Sequence, residues 1–105
     1  MGNKKTNSLR PVFELVRKIK YSNGQVAQWG PSYFVEDKND ARKQIWSDLE
    51  VLAKMHLDAN EQCKFSFDAG DNPTASFTFT DKLADTSTST DTITWHIKKR
   101  TNIVA

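Results

Sequence analysis

Residues 92–98 read Thr92-Ile93-Thr94-Trp95-His96-Ile97-Lys98, with an apolar side chain at every second position and a polar one between. Successive side chains of a β-strand point to opposite faces, so this alternation specifies a strand with one dry face and one wet face. Two more stretches carry the same pattern. In Cys63-Lys64-Phe65-Ser66-Phe67 and Ser76-Phe77-Thr78-Phe79-Thr80 the bulky residues again stand at alternate positions. A helix would scatter those rings around its circumference, whereas a pleated sheet gathers them on one side.

Upstream of these strands the apolar spacing changes from two to three and four. Ala41, Ile45, Leu49, Leu52 and His56 form a helical stripe that Trp46, Ala53 and Leu57 widen. Asn39 or Asp40 serves as its cap, and Asp58-Ala59-Asn60 marks its end. Residues 12–21 fit two periods. A strand puts Phe13, Leu15, Ile19 and Tyr21 on one face with Arg17 interrupting, and a helix aligns Val12, Leu15, Val16 and Ile19. Asn23-Gly24, a strong hairpin signal, follows at once and leads into the β-like run 25–29, which favours the strand. Gly30-Pro31 breaks that run, because proline cannot donate to a ladder, and residues 32–35 resume an extended stretch. Residues 68–73 have turn chemistry, and the Ser/Thr tract 83–91 reads as a mobile loop.

The resulting order is β-β-α-β-β-β. It predicts an α+β fold in a single domain over residues 11–105, a mostly antiparallel sheet with one covering helix. Residues 1–10, rich in Asn, Lys, Thr and Ser, read as a flexible lead-in. Phe65, Phe67, Phe77, Phe79, Ile93, Trp95 and Ile97 are expected to meet Ile45, Leu49 and Leu52. The opposite face then shows Lys64, Ser66, Ser76, Thr78, Thr80, Thr94, His96 and Lys98, a hydrophilic surface large enough to bind something.

Composition narrows the function classes. A chain of 105 residues supports one continuous core, and eleven Phe, Trp and Tyr residues argue against disorder despite a mean hydropathy of −0.65. No apolar run approaches the roughly 18 residues of a membrane span. The lone Cys63 forms no internal disulfide and the basic N-terminus has no apolar stretch behind it, so a cytoplasmic location is expected. Paired cysteines and a glycine-rich phosphate loop are missing, so no metal and no cofactor is expected. His56 and Cys63 hold the makings of a nucleophilic pair, but both lie on apolar faces. They read as core residues, Cys63 as a buried thiol, and no catalytic residue is expected.

Charge is unevenly laid out. Residues 1–20 carry six bases against Glu14 alone, residues 36–97 carry twelve acids against six bases, and residues 98–105 add three bases. If the first and last strands are neighbours, Arg17, Lys18, Lys20, Lys98, Lys99 and Arg100 merge into one patch beside Tyr21 and Trp29. Cations among aromatics suit nucleic acid, because phosphates are neutralised and bases stack. The sequence reading is therefore a small non-catalytic binding module for nucleic acid or a nucleic-acid-handling complex. Its alternative uses the acidic middle, through Asp40, Asp48 and Glu50. Small proteins with acidic patches include immunity proteins and phage- or mobile-element-encoded inhibitors, which act by stoichiometric binding to a protein target, and the analogy is one of class.

Overall fold

Two tight connections and two long strands build the architecture. The computed structural model describes residues 8–31, 33–58, 62–82 and 88–104. Strands β1 (Ser8–Lys20), β2 (Val26–Gln28), β3 (Tyr33–Val35), β4 (Gln62–Asp68), β5 (Thr74–Lys82) and β6 (Thr88–Val104) form one antiparallel sheet. Helix α1 (Lys38–Asp58) joins β3 to β4. The sheet order is β2-β1-β6-β5-β4, with β3 also paired to β1. The chain is thus α+β as anticipated, and the extended stretch after Pro31 forms a short strand of its own, giving β-β-β-α-β-β-β.

Residues 12–20 are strand, Tyr21 opens the hairpin, and Asn23-Gly24 does turn the chain. The loop spans three residues rather than two. Tyr21 N–H donates to Gln25 O at 2.8 Å, Gly24 N–H to Tyr21 O at 2.9 Å, and Gly24 sits at φ +91°. This is a hairpin in which a turn is followed by a left-handed residue, a position glycine fills without strain. On the far side, β2 and β3 act as one interrupted edge. Between the pairs Lys18↔Gln28 and Leu15↔Tyr33, β1 has residues 16–17 while the edge has 29–32. The two extra residues make a bulge at Gly30-Pro31.

Strands β1 and β6 pair without a break from Ser8↔Val104 to Lys20↔Thr92. At about 3.3 Å per residue, β6 is roughly 55 Å long. Its other neighbour, β5, reaches only to Trp95, and β3 covers β1 only to Phe13. Residues 8–12 and 100–104 therefore project as a two-stranded ribbon. Ser8–Arg10, read from composition as lead-in, belong to β1, and residues 1–7 lie outside the described residues. The Ser/Thr tract is likewise shorter as a loop than its composition implied. Residues 83–87 are outside the description, but Thr88–Asp91 pair with β5. Threonine suits a pleated surface, and the Thr80 and Thr90 hydroxyls meet at 3.0 Å.

Asp37, rather than Asn39 or Asp40, caps α1. Its Oδ1 accepts from Asn39 N–H at 2.8 Å, and its carbonyl accepts from Asp40 N–H at 3.0 Å. Arg42 then ties the first turns to the β4–β5 turn, donating to Ala69 O at 2.9 Å and Gly70 O at 2.6 Å. The helix buries Ala41, Ile45, Leu49 and Leu52 against Leu15, Ile19, Phe77, Phe79, Ile93 and Trp95. Phe65 departs from the expected core and is 50% exposed, while Phe67, Ile97 and Cys63 are half-buried. A single helix covers the middle of the sheet, and β4 lies at its edge. Trp46 flanks that edge, its ring centroid 6.4 Å from Phe65 and 6.1 Å from Phe67.

Leu49→Ala is expected to cost about 2–5 kcal/mol and Trp95→Ala about 3–5 kcal/mol, measured by urea unfolding. Both residues are at most 2% exposed, so either variant melting like the wild type would contradict this packing.

Candidate functional site

The face of the sheet turned away from α1 is set by strand parity. Leu15, Ile19, Ile93 and Trp95 point toward the helix, so the residues between them point the other way. Along β1 these are Val12, Glu14, Val16, Lys18 and Lys20, which stand opposite Arg100, Lys98, His96, Thr94 and Thr92 of β6. The basic stretches of the two chain ends meet there because β1 and β6 are adjacent. Hydroxyls continue the face across β5 and β4. Ser66 and Ser76 meet at 2.9 Å, and Thr78 and Thr92 at 3.2 Å. Lys64 stands opposite Thr78.

Lys18, Lys20, Lys64, Lys98 and Arg100 are among the cations of this open face. Parity places two acids with them, Glu14 and Asp68. Glu14 Oε1 accepts from Arg100 Nε at 3.0 Å and Nη2 at 2.9 Å, so one acid is already matched. His96 lies among the cations. Its pKa is lowered from 6.5, first by partial burial and then by the positive charges of Lys18 and Lys98, with Glu14 opposing. The β5–β6 pairing ends at Ala75↔Trp95, one residue short of His96, and beyond it Asp68 stands opposite the uncharged Thr74. The sign follows from the direction. Neutral His96 contributes stability that is fully present above about 6.5 and is lost as pH falls through its lowered value.

The remaining sequence candidates are placed elsewhere. Arg17 points toward α1, where its Nη1 meets Asp48 Oδ2 at 3.2 Å with both side chains 11% exposed. Its Nη2 donates to Pro31 O at 2.9 Å, and its guanidinium carbon stands 5.3 Å from the Trp29 ring centroid. Trp29 in turn packs edge-on against Trp95 at 5.8 Å. Asp48 also accepts from Trp95 Nε1 at 3.0 Å and from Gln44 Nε2 at 2.8 Å. A cation and an acid read as rival binding residues are therefore partners in the interior. Lys99 stands opposite Phe13 on the helix side of the sheet, and Tyr21 lies at the β1–β2 hairpin. Asp40 and Glu50 are exposed on α1, separated along it by Lys43.

His96 and Lys64 were legible as wet-face residues through their parity, but only the sheet order brings His96 beside Lys18 and Lys98 and sets Lys64 in line with Lys20 across β5 and β6. His56 stacks on Phe79, ring centroids 4.1 Å apart. A concavity of about 270 Å³ beside it is lined by Ile19, Trp29, Leu52, Met55 and Phe79, and Cys63 is not part of it. Among the described residues no cluster of His, Cys, Asp and Glu could hold a metal ion, and no helix is long and apolar enough to cross a membrane. Comparison with protein-family models, with curated proteins and with solved structures finds no match to this chain.

Asp48→Ala is expected to cost about 3 kcal/mol, since it leaves the Arg17 charge enclosed without its partner. The cost of Arg17→Ala plus that of Asp48→Ala should exceed the cost of the double variant by about 1–2 kcal/mol in urea unfolding. Strict additivity would show that the two side chains act independently.

Proposed function

We propose that the chain is a non-catalytic, cytoplasmic module that binds polynucleotide through the open face of its sheet and the adjoining β1–β6 ribbon. The observation that carries this reading is the gathering of Lys18, Lys20, Lys64, Lys98 and His96 on one face, set among Ser and Thr hydroxyls. Lysines neutralise phosphates and release counterions, while hydroxyls donate to phosphate oxygens without reading sequence. A two-stranded ribbon also has the dimensions to enter a major groove. The aromatic contribution differs from the one anticipated. Trp29 is committed to Arg17 and Trp95, so stacking on bases is not its role. Of the large exposed aromatics, Phe34 is the one whose register, opposite Glu14, puts it on the open face. Binding should therefore be dominated by the phosphate backbone and tolerant of sequence.

The acidic surface offers less to a protein target. Asp48 is enclosed by Arg17, Trp95 and Gln44, and Lys43 shares the outer side of α1 with Asp40 and Glu50.

Fluorescence anisotropy with labelled single- and double-stranded DNA and RNA tests the proposal. Wild-type protein should bind at about 50 mM salt, with affinity falling steeply as salt rises. Lys18, Lys20 and Lys98 changed together to Ser should flatten the salt slope by about three units, one per phosphate contact. The melting temperature should stay close to wild type, because exposed charges add little stability. No binding to any of these polymers at that salt would overturn the reading.

Bound phosphates would also raise the pKa of His96 and draw a proton onto it. Affinity should then strengthen as pH falls from about 7.5 to 5.5, and His96→Gln should remove that part of the dependence. A pH profile that is identical in the two proteins would exclude His96 from the surface.

A further inference from the structure

The two edges of the sheet are unequal. On one side, β2 and β3 are three residues each and are interrupted by the Gly30-Pro31 bulge, the features that discourage pairing with another strand. On the other side, β4 runs for seven residues, is free of Pro and Gly, and pairs with β5 in unbroken register from Gln62↔Thr80 to Asp68↔Thr74. Among the described residues nothing pairs with its outer side. Such a strand presents a row of backbone donors and acceptors. Apolar side chains accompany it on the helix side, where Phe65 is 50% and Trp46 47% exposed and Phe67 is half-buried.

We propose that β4 pairs antiparallel with β4 of a second copy of the chain, joining two sheets into one, about a two-fold axis through Ser66. Strand parity and charge select this register. Pairing directly opposite residues about Ser66 sets Lys64 against the second copy's Asp68 twice, and Phe65 against its Phe67 twice. The two members of each pair share a face, because residues equidistant from the axis have the same parity, so the charged pairs meet on the open face and the aromatic pairs on the helix side. Opposite charges and aromatic pairs facing each other across strands are both stabilising. Moving the axis to Lys64 would oppose two like charges, and moving it to Phe65 would leave Lys64 facing Ser66 and Asp68 facing Gln62. The axis is perpendicular to the sheet, so both helices fall on one side and both open faces on the other. Lys64 belongs both to this interface and to the open face, so self-association is measured without nucleic acid.

Sedimentation velocity on the full chain, freed of nucleic acid, tests this. At about 100 µM, above the dissociation constant of a weak interface, the wild type should sediment with twice the 12.0 kDa chain mass. Lys64→Asp places an acid opposite each Asp68 and should weaken self-association about tenfold or more, and adding Asp68→Lys should restore it. Ser66→Cys, made in a Cys63→Ser chain, reads the register without changing charge. Residues opposite each other on antiparallel strands are about 4.5–5.5 Å apart, within disulfide reach, so mild oxidation should link the two copies through Cys at position 66. A wild type that is monomeric at that concentration overturns the proposal and leaves β4 to a strand from another protein. Dimerisation that ignores the Lys64 charge, is not rescued by the double swap, or gives no cross-link also overturns it.

Discussion

A single enclosed carboxylate ties together elements that local sequence would leave independent. Asp48 takes Arg17 of β1, Trp95 of β6 and Gln44 of its own helix. Arg17 reaches on to the Pro31 carbonyl in the bulge and lies over Trp29. One ion pair thereby sets how α1 rotates over the sheet, where the edge bulges and how the two tryptophans pack. Such a pair adds little net stability compared with a well-packed apolar replacement, because both charges lose water. Removing one partner is costly, and that asymmetry restricts the alternatives. Arg17 Nε is buried without a hydrogen-bond partner, so the guanidinium is not fully satisfied and depends on its remaining contacts.

The bulge follows from the same geometry. An uninterrupted edge strand would place a backbone pair beside Arg17, with no carbonyl turned toward its Nη2. Gly30 stands at φ +80°, and a Cβ there would lie 3.2 Å from Nη2. A side chain at that position would meet both backbone strain and crowding. The Gly30-Pro31 pair thus serves the interior by supplying a carbonyl and serves the surface by blunting the edge.

Enclosing Arg17 and Asp48 also sorts the charges. The open face keeps cations of β1, β4 and β6, and hydroxyls rather than acids fill most of the space between them. A chain with a net charge of only +2 can then present one basic face, because most of its described acids lie in the helix and the turns. The proposed polynucleotide surface and the proposed β4 interface are consequences of one asymmetry. The helix covers only the middle of one face, leaving the other face and one edge to be completed by something else.

Alternation with period two determined the three C-terminal strands and their faces, and periods of three and four determined the helix, because burial acts on each element through its own geometry. Trp95, Phe77, Leu49 and Ile45 could be identified as core for that reason alone. Their neighbours could not. Whether the basic ends of the chain met depended on β1 lying beside β6, and that adjacency rests on pairings more than seventy residues apart along the chain. Arg17 looked like a surface cation interrupting an apolar face until Asp48 arrived from the helix to receive it. Phe65 and Cys63 share the period of the core but lie on an edge that one helix cannot reach. Periodicity reports which way a side chain points, and only the tertiary arrangement decides what it meets there.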